Sequence, residues 1–126
     1  MKGYKYRKGA EFERELKKMF EGGGFAVVRS AGSHGVDLIV GKKGKLYALE
    51  CKCTSKERFY ISKEDIIKLI DFSETFGAHP YIAIKINGEI LFINPYLLEI
   101  NGKNYSLDYY KIYPIALNFK ELMEKE

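Results

Sequence analysis

Apolar and polar positions alternate in two different rhythms along this chain. Phe12, Leu16, Met19 and Phe20 recur at helical spacing, which predicts a helix over about 8–21, stopped by Gly22 to Gly24. "FAVVRS" (25–30) and "VDLIV" (36–40) read as short β-branched strands, with "AGSHG" a loop between them. "GKKGK" is a turn, and a third strand covers 46–54. Ser62 with Asp65 marks a helix start, and that helix runs to Phe76 before Gly77. "PYIAIKI" and "EILFINP" flank Asn87-Gly88, the strongest hairpin signal in the sequence. Beyond Pro95 the pattern weakens: 104–115 holds short strands or loops, and Asn118 with Glu121 opens a last short helix. The second and third strands are apolar on both parities, so both of their faces are covered. The expected fold is α/β, a mixed central β-sheet flanked by helices, in one domain spanning 1–126, with 1–8 a flexible basic arm.

The third strand, "LYALECKCT", is interrupted by Glu50 and Lys52. Side chains alternate across a strand, so these two share one face, and Leu49, Cys51 and Cys53 share the other. Asp37 is also a charge inside an apolar run. If "GKKG" forms a four-residue loop, Asp37 falls opposite Ala48 and diagonal to Glu50 on the same face, with Cα atoms roughly 7–8 Å apart. Two carboxylates so placed can converge on one cation. A one-residue slip would separate them. Hard oxygen ligands suit Mg²⁺, which polarises a phosphodiester and activates water, and Lys52 can stabilise charge on the phosphate oxygens. The bland alternative is a Glu50–Lys52 ion pair. Such pairs rarely add net stability, and two apolar residues would serve the core more simply.

Composition narrows this only slightly. The 126 residues are 46% hydrophobic and 30% charged, as in ordinary globular proteins, and the net charge of +4 is a mild lean towards anionic partners. No apolar run is long enough for a bilayer, and the basic start lacks the apolar block of a signal peptide, so a cytoplasmic or nucleoid location is expected. The only two cysteines, Cys51 and Cys53, share one strand face and read as buried thiols. The absence of Gln and Trp beside abundant Lys, Glu and Ile leans towards a thermophilic source.

Other residues carry weaker signals. Glu13 lies at the edge of the first helix's apolar stripe, where a solvated Glu is the ordinary reading. Lys2, Lys5, Arg7 and Lys8 interleave with Tyr4 and Tyr6, which suits either phosphate contact with base stacking or a frayed terminus. The helix ending at Phe76 has two stripes: Ile66, Ile67 and Ile70, and then Leu69, Phe72 and Phe76. One covers the core; the second covers more core or a partner. His79 reads as a loop residue, and the tyrosines from Tyr105 to Tyr113 as packing or surface.

"VDLIV…LECKC" resembles the Asp…Glu-x-Lys core of the PD-(D/E)xK nucleases. "YRKGAEFERELKKMFEGGGFAVVRSAGSHGVDLIV" and "KEDIIKLIDFSETFG" resemble archaeal Holliday junction resolvases, over about 6–86. The resemblance implies a restriction-endonuclease-like fold and a structure-selective endodeoxyribonuclease that makes paired symmetric nicks in four-way DNA junctions. It implies Mg²⁺, with Mn²⁺ able to substitute, no small-molecule cofactor, no membrane, and a homodimer. Carried over, Asp37, Glu50 and Glu13 are metal ligands, Lys52 is the catalytic lysine, and Ser33 is a catalytic loop residue near the scissile strand. Arg14 and Arg29 match basic residues that contact phosphate or support the site; Lys5, Arg7, Lys8 and Ser30 are expected beside them as DNA contacts, and the resemblance favours Leu69, Phe72 and Phe76 as the dimer interface. Two positions depart from the pattern: Val36 replaces a proline, and His34 stands where a basic residue is expected. The rival readings are another PD-(D/E)xK nuclease of repair or restriction type, and a junction-binding protein without activity.

Overall fold

The computed structural model describes residues 2–30, 36–99 and 104–125, with side chains of the first helix described from residue 8. Helix α1 spans Lys2–Gly22, so the basic segment expected as a flexible arm forms the helix's first turns instead. Strands β1 (Ala26–Arg29), β2 (Leu38–Lys42) and β3 (Lys45–Thr54) form an antiparallel meander. A fourth strand, β4 (Arg58–Ser62), which the sequence pattern does not reveal, leads into α2 (Lys63–Phe76). Ser62 Oγ accepts the Asp65 N–H at 3.1 Å, and Gly77 ends the helix at φ 86°. The chain then crosses over to β5 (His79–Ile86), which pairs parallel to β3. It turns at Asn87-Gly88, both at positive φ, into β6 (Glu89–Ile93). The tail holds β7 (Asn104–Asp108), α3 (Tyr109–Ile112) and α4 (Phe119–Glu124), and a full capping box between Asn118 and Glu121 opens α4.

The main sheet has the order β1-β2-β3-β5-β6, mixed as expected, and β4 pairs with β7 in a separate two-stranded ribbon. Both faces of the sheet are covered. On one side Phe12, Leu16 and Phe20 of α1 and Leu122 of α4 pack on Leu38, Val40 and Leu49. On the other, Ile66 and Leu69 of α2 and Phe59 and Ile61 of β4 pack with Ala48, Ile82 and Ile84. The two parities of β2 and β3 thus serve two cores, which is why those strands read as continuous apolar runs.

Two consequences correct the sequence reading. The β2–β3 turn is Lys43-Gly44, at φ 44° and 86°, so the loop has two residues and not four. Leu69 is fully buried between sheet and ribbon and cannot face a partner, whereas Ile67, expected in the core stripe, is 44% exposed.

Candidate active site

The short turn moves the β2–β3 register by two residues from the expected one. Leu38 pairs with Leu49, and the next step sets Asp37 directly across from Glu50. An even shift preserves faces, so the carboxylates stay together and come closer than the diagonal placement allowed. β2 begins at Leu38, and Asp37 lies just before it at the strand's edge. The Asp37 N–H donates to the Leu49 carbonyl at 2.8 Å, and the Ser30 N–H donates to the Asp37 carbonyl at 2.9 Å. The side chain accepts from the Cys51 N–H at 2.7 Å. That bond satisfies a β3 donor which the shortened β2 leaves behind, and it fixes the direction of the carboxylate.

Glu50 projects beside it, half-buried and hydrogen-bonded to the Asp37 side chain. Its carboxyl is pushed up to about 9. Burial contributes most, then the bond to Asp37, then the charges of Asp37 and of Asp65 in α2, with Lys52 opposing. Two carboxylates this close cannot both ionise cheaply, so a proton holds them together. A divalent cation does the same work with two positive charges, and an all-oxygen, part-buried donor pair fits a hard ion. Lys52, one strand period further on, is half-buried on the same face.

Glu13 is placed differently. Arg29 grips its Oε1 through Nε at 3.2 Å and Nη2 at 3.0 Å, across from α1 to β1. Among the described residues no three His, Cys, Asp or Glu side chains gather closely enough to hold an ion together. Glu13 therefore stands outside the Asp37–Glu50 pair, although not far away. Burial pushes the Cys51 thiol well up, and the charges of Asp37, Glu13 and Glu50 add to this while Arg29 opposes it. Cys51 thus lies in reach of all three carboxylates. Cys53 is exposed, so only one of the two thiols is in a buried setting.

Arg14 and Lys8 are exposed on α1, and Ser30 follows β1 beside Asp37. Ser33 and His34 lie outside the described residues, as do the side chains of Lys5 and Arg7. On α2, Phe72 stacks on Phe76 with ring centroids 5.3 Å apart, and Phe76 is 49% exposed. Two features escaped the sequence reading. Asp65, read only as a helix start, also acts electrostatically on Glu50. Lys85 interrupts the apolar run "PYIAIKI", the same kind of signal that marked Glu50 and Lys52.

A mixed sheet with an Asp and a Glu-x-Lys meeting at one strand end, flanked by helices on both faces, defines a nuclease-type site on a restriction-endonuclease-like scaffold. Comparison with known proteins agrees. The family model described as archaeal Holliday junction resolvase (Hjc) matches residues 4–126. The crossover junction endodeoxyribonuclease Hjc of Methanocaldococcus jannaschii is 62% identical over 120 residues, 95% of this chain and 90% of that protein. Its Archaeoglobus fulgidus counterpart is 33% identical over 94% of this chain and 90% of that protein. A solved structure of Archaeoglobus fulgidus Hjc, a Holliday junction resolvase, superposes with a TM-score of 0.86 at 32% identity, covering 94% of this chain and 98% of that one. The chain belongs to the archaeal Holliday junction resolvase family. Membership carries with it the use of a divalent metal ion and of branched DNA. Among the described residues no helix is long and apolar enough to cross a membrane.

Proposed function

We propose that this chain is a structure-selective endodeoxyribonuclease that resolves four-way DNA junctions by Mg²⁺-dependent hydrolysis, cutting two symmetry-related strands as a homodimer. The observation that carries the reading is the meeting of Asp37 and Glu50 across β2 and β3, with Lys52 alongside, in a chain of this family. Asp37 and Glu50 would hold the ion, which when bound supplies polarisation of the scissile phosphodiester and a more acidic water. Mn²⁺ shares the preference for oxygen donors and would substitute.

The chain's own residues do the rest. The Cys51 N–H holds Asp37 Oδ2 and so fixes the carboxylate that would hold the ion. Glu50, whose carboxyl is pushed up to about 9, would have to give up its proton to serve as a ligand. Lys52 would stabilise charge growing on the phosphate oxygens. Arg29 would contact DNA phosphate and keep Glu13 oriented beside the site, from which Glu13 would reach the ion through water. Lys8, Arg14 and Ser30 would contact the backbone near the cut; Ser33 is assigned to the same work by family resemblance, and Lys5 and Arg7 by their place among the basic and aromatic residues at the start of the sequence. Specificity would come from branch shape and not from base edges.

The homodimer rests on the exposed end of α2. Phe72 and Phe76 stack there, and Phe76 is half-exposed, an apolar patch suited to a two-fold contact. A junction offers two equivalent strands, and such a dimer would bring one site to each.

The test is cleavage of a synthetic four-way junction and a linear duplex of matched sequence, in Mg²⁺ and in chelator. Paired symmetric nicks confined to the junction and to the Mg²⁺ samples support the reading. Equal cutting of the linear duplex would reduce it to a general nuclease.

A further inference from the structure

β3 and β5 are the one parallel pair in the main sheet, so their carboxyl ends emerge together. Crevices at such ends are the usual ligand sites of α/β sheets. Here the crevice is an open groove of about 710 Å³, walled by the start of α1, the segment 54–56 and the Asn87-Gly88 turn. Its floor is the end of β3, Cys51 to Thr54, next along the strand from Glu50.

Three observations say that it is built for a polyanion. Three lysines line it, Lys8, Lys56 and Lys85, besides Lys52 at its edge, against two carboxylates, Glu11 and Glu15. Its walls are stripped of side chains at two points: a Cβ placed at Gly9 or Gly88 would meet nothing within 4 Å. Gly88 needs its positive φ of 84°, but Gly9 lies inside α1, where glycine weakens a helix and no packing demands it. A bare helix face gives a ligand's backbone close approach. Third, the register pairs Cys53 with Lys85, which places Lys85 on the α1 face of β5. Its Nζ reaches Glu15 Oε1 at 2.6 Å, and both side chains remain partly open to solvent. Exposed ion pairs of this kind are weak, and a phosphate offers the ammonium an equivalent partner.

We propose that this groove carries the phosphodiester backbone of a DNA strand away from the cut, with Lys56 and Lys85 on successive phosphates and Glu15 holding Lys85 until DNA displaces it. The inference rests on DNA being the substrate, and it adds a strand path and a partner exchange to that reading. Glu15 acts as a competitor: it lowers affinity for any duplex that does not fill the groove, while a strand that enters it recovers the lysine.

The experiment is binding of the full-length protein to a four-way junction in chelator, titrated with salt. Lys56→Ala and Lys85→Ala should each weaken binding about five- to tenfold near 0.1 M salt and lower the salt slope by about one. Glu15→Gln should tighten binding. The cost of Lys85→Ala should then be larger in the Glu15→Gln background than in wild type, because the lysine no longer has two partners to choose between. Thermal melts of each variant show whether the fold is retained, and Lys56, exposed in a loop, gives an independent reading if Lys85→Ala melts early. If wild type fails to bind junctions at all, the substrate reading falls. If wild type binds and both lysine variants keep its affinity and slope, the groove proposal alone falls. Equal costs of Lys85→Ala in both backgrounds would overturn the partner exchange.

Discussion

Two pairs of charged side chains are set on the central strands of this protein, and they are built to opposite rules. Glu15 and Lys85 are of opposite charge, half-exposed and 2.6 Å apart. Each satisfies the other, and the pair costs the fold little. Asp37 and Glu50 are both acidic, lie partly buried and are set together by the β2–β3 register, and their closeness pushes the Glu50 carboxyl up to about 9. No gain in stability explains the second pair. Leucine or valine at either position would pack as well and carry no desolvation penalty. The first pair is satisfied within the chain until an outside anion competes for the lysine, and the second is left with a repulsion that, on the proposed function, a cation would relieve.

The largest expected effect breaks the second pair. Glu50→Gln removes the acceptor a divalent ion needs while keeping shape and hydrogen bonding. Junction cleavage should fall by about a thousandfold or more, with junction binding in chelator unchanged. Gel-based cleavage and binding assays on the same preparation check both halves. Next comes Lys52→Ala, which leaves the carboxylates intact and should slow cleavage by roughly a hundredfold in single-turnover assays without loss of metal binding.

A third prediction uses protons. The Glu50 carboxyl titrates near 9 in the folded protein against an ordinary 4.5. The metal-free folded state therefore holds a proton that the unfolded chain gives up across that window. Its stability should be greatest below pH 4.5 with respect to this group, fall as pH rises from 4.5 to 9, and level off above. Thermal melts in chelator read the slope, and Glu50→Gln should flatten it and melt a few degrees higher than wild type near pH 8. The smallest effect concerns a surface outside both pairs. If the proposed homodimer forms through this patch, wild type should sediment as a dimer and Phe76→Asp as a monomer, with little change in melting temperature because Phe76 is half-exposed within its own chain.

Much of the site was legible before the fold because strand alternation has a period of two. The β2–β3 turn reads as four residues from "GKKG" and is in fact Lys43-Gly44, a two-residue turn without the Asn that advertises one. The resulting error in register is even, so Asp37 and Glu50 stay on one face, and only their separation is misjudged. The assignment of Leu69 fails for a different reason. Its stripe on α2 looks unpartnered as long as β4 is unseen. β4 is five residues long, and it pairs with β7, Arg58 with Asp108 and Phe59 with Leu107. Nothing local in "RFYIS" announces a partner so distant in sequence. Once the ribbon is placed, Phe59 and Ile61 help to bury Leu69, Phe72 packs at the edge of the same core, and only Phe76 at the end of the stripe is largely outside. Glu13 was legible as a helix-edge residue, but its engagement by Arg29 needs the α1–β1 packing that periodicity does not describe.

The most direct measurement is a Mn²⁺ titration followed by electron paramagnetic resonance, with proton release recorded in parallel in a weakly buffered sample at pH 8. Wild type should bind Mn²⁺ and release close to one proton per ion bound, and Glu50→Gln should lose both signals. Equal Mn²⁺ binding by wild type and Glu50→Gln would contradict the claim that Asp37 and Glu50 form one cation site.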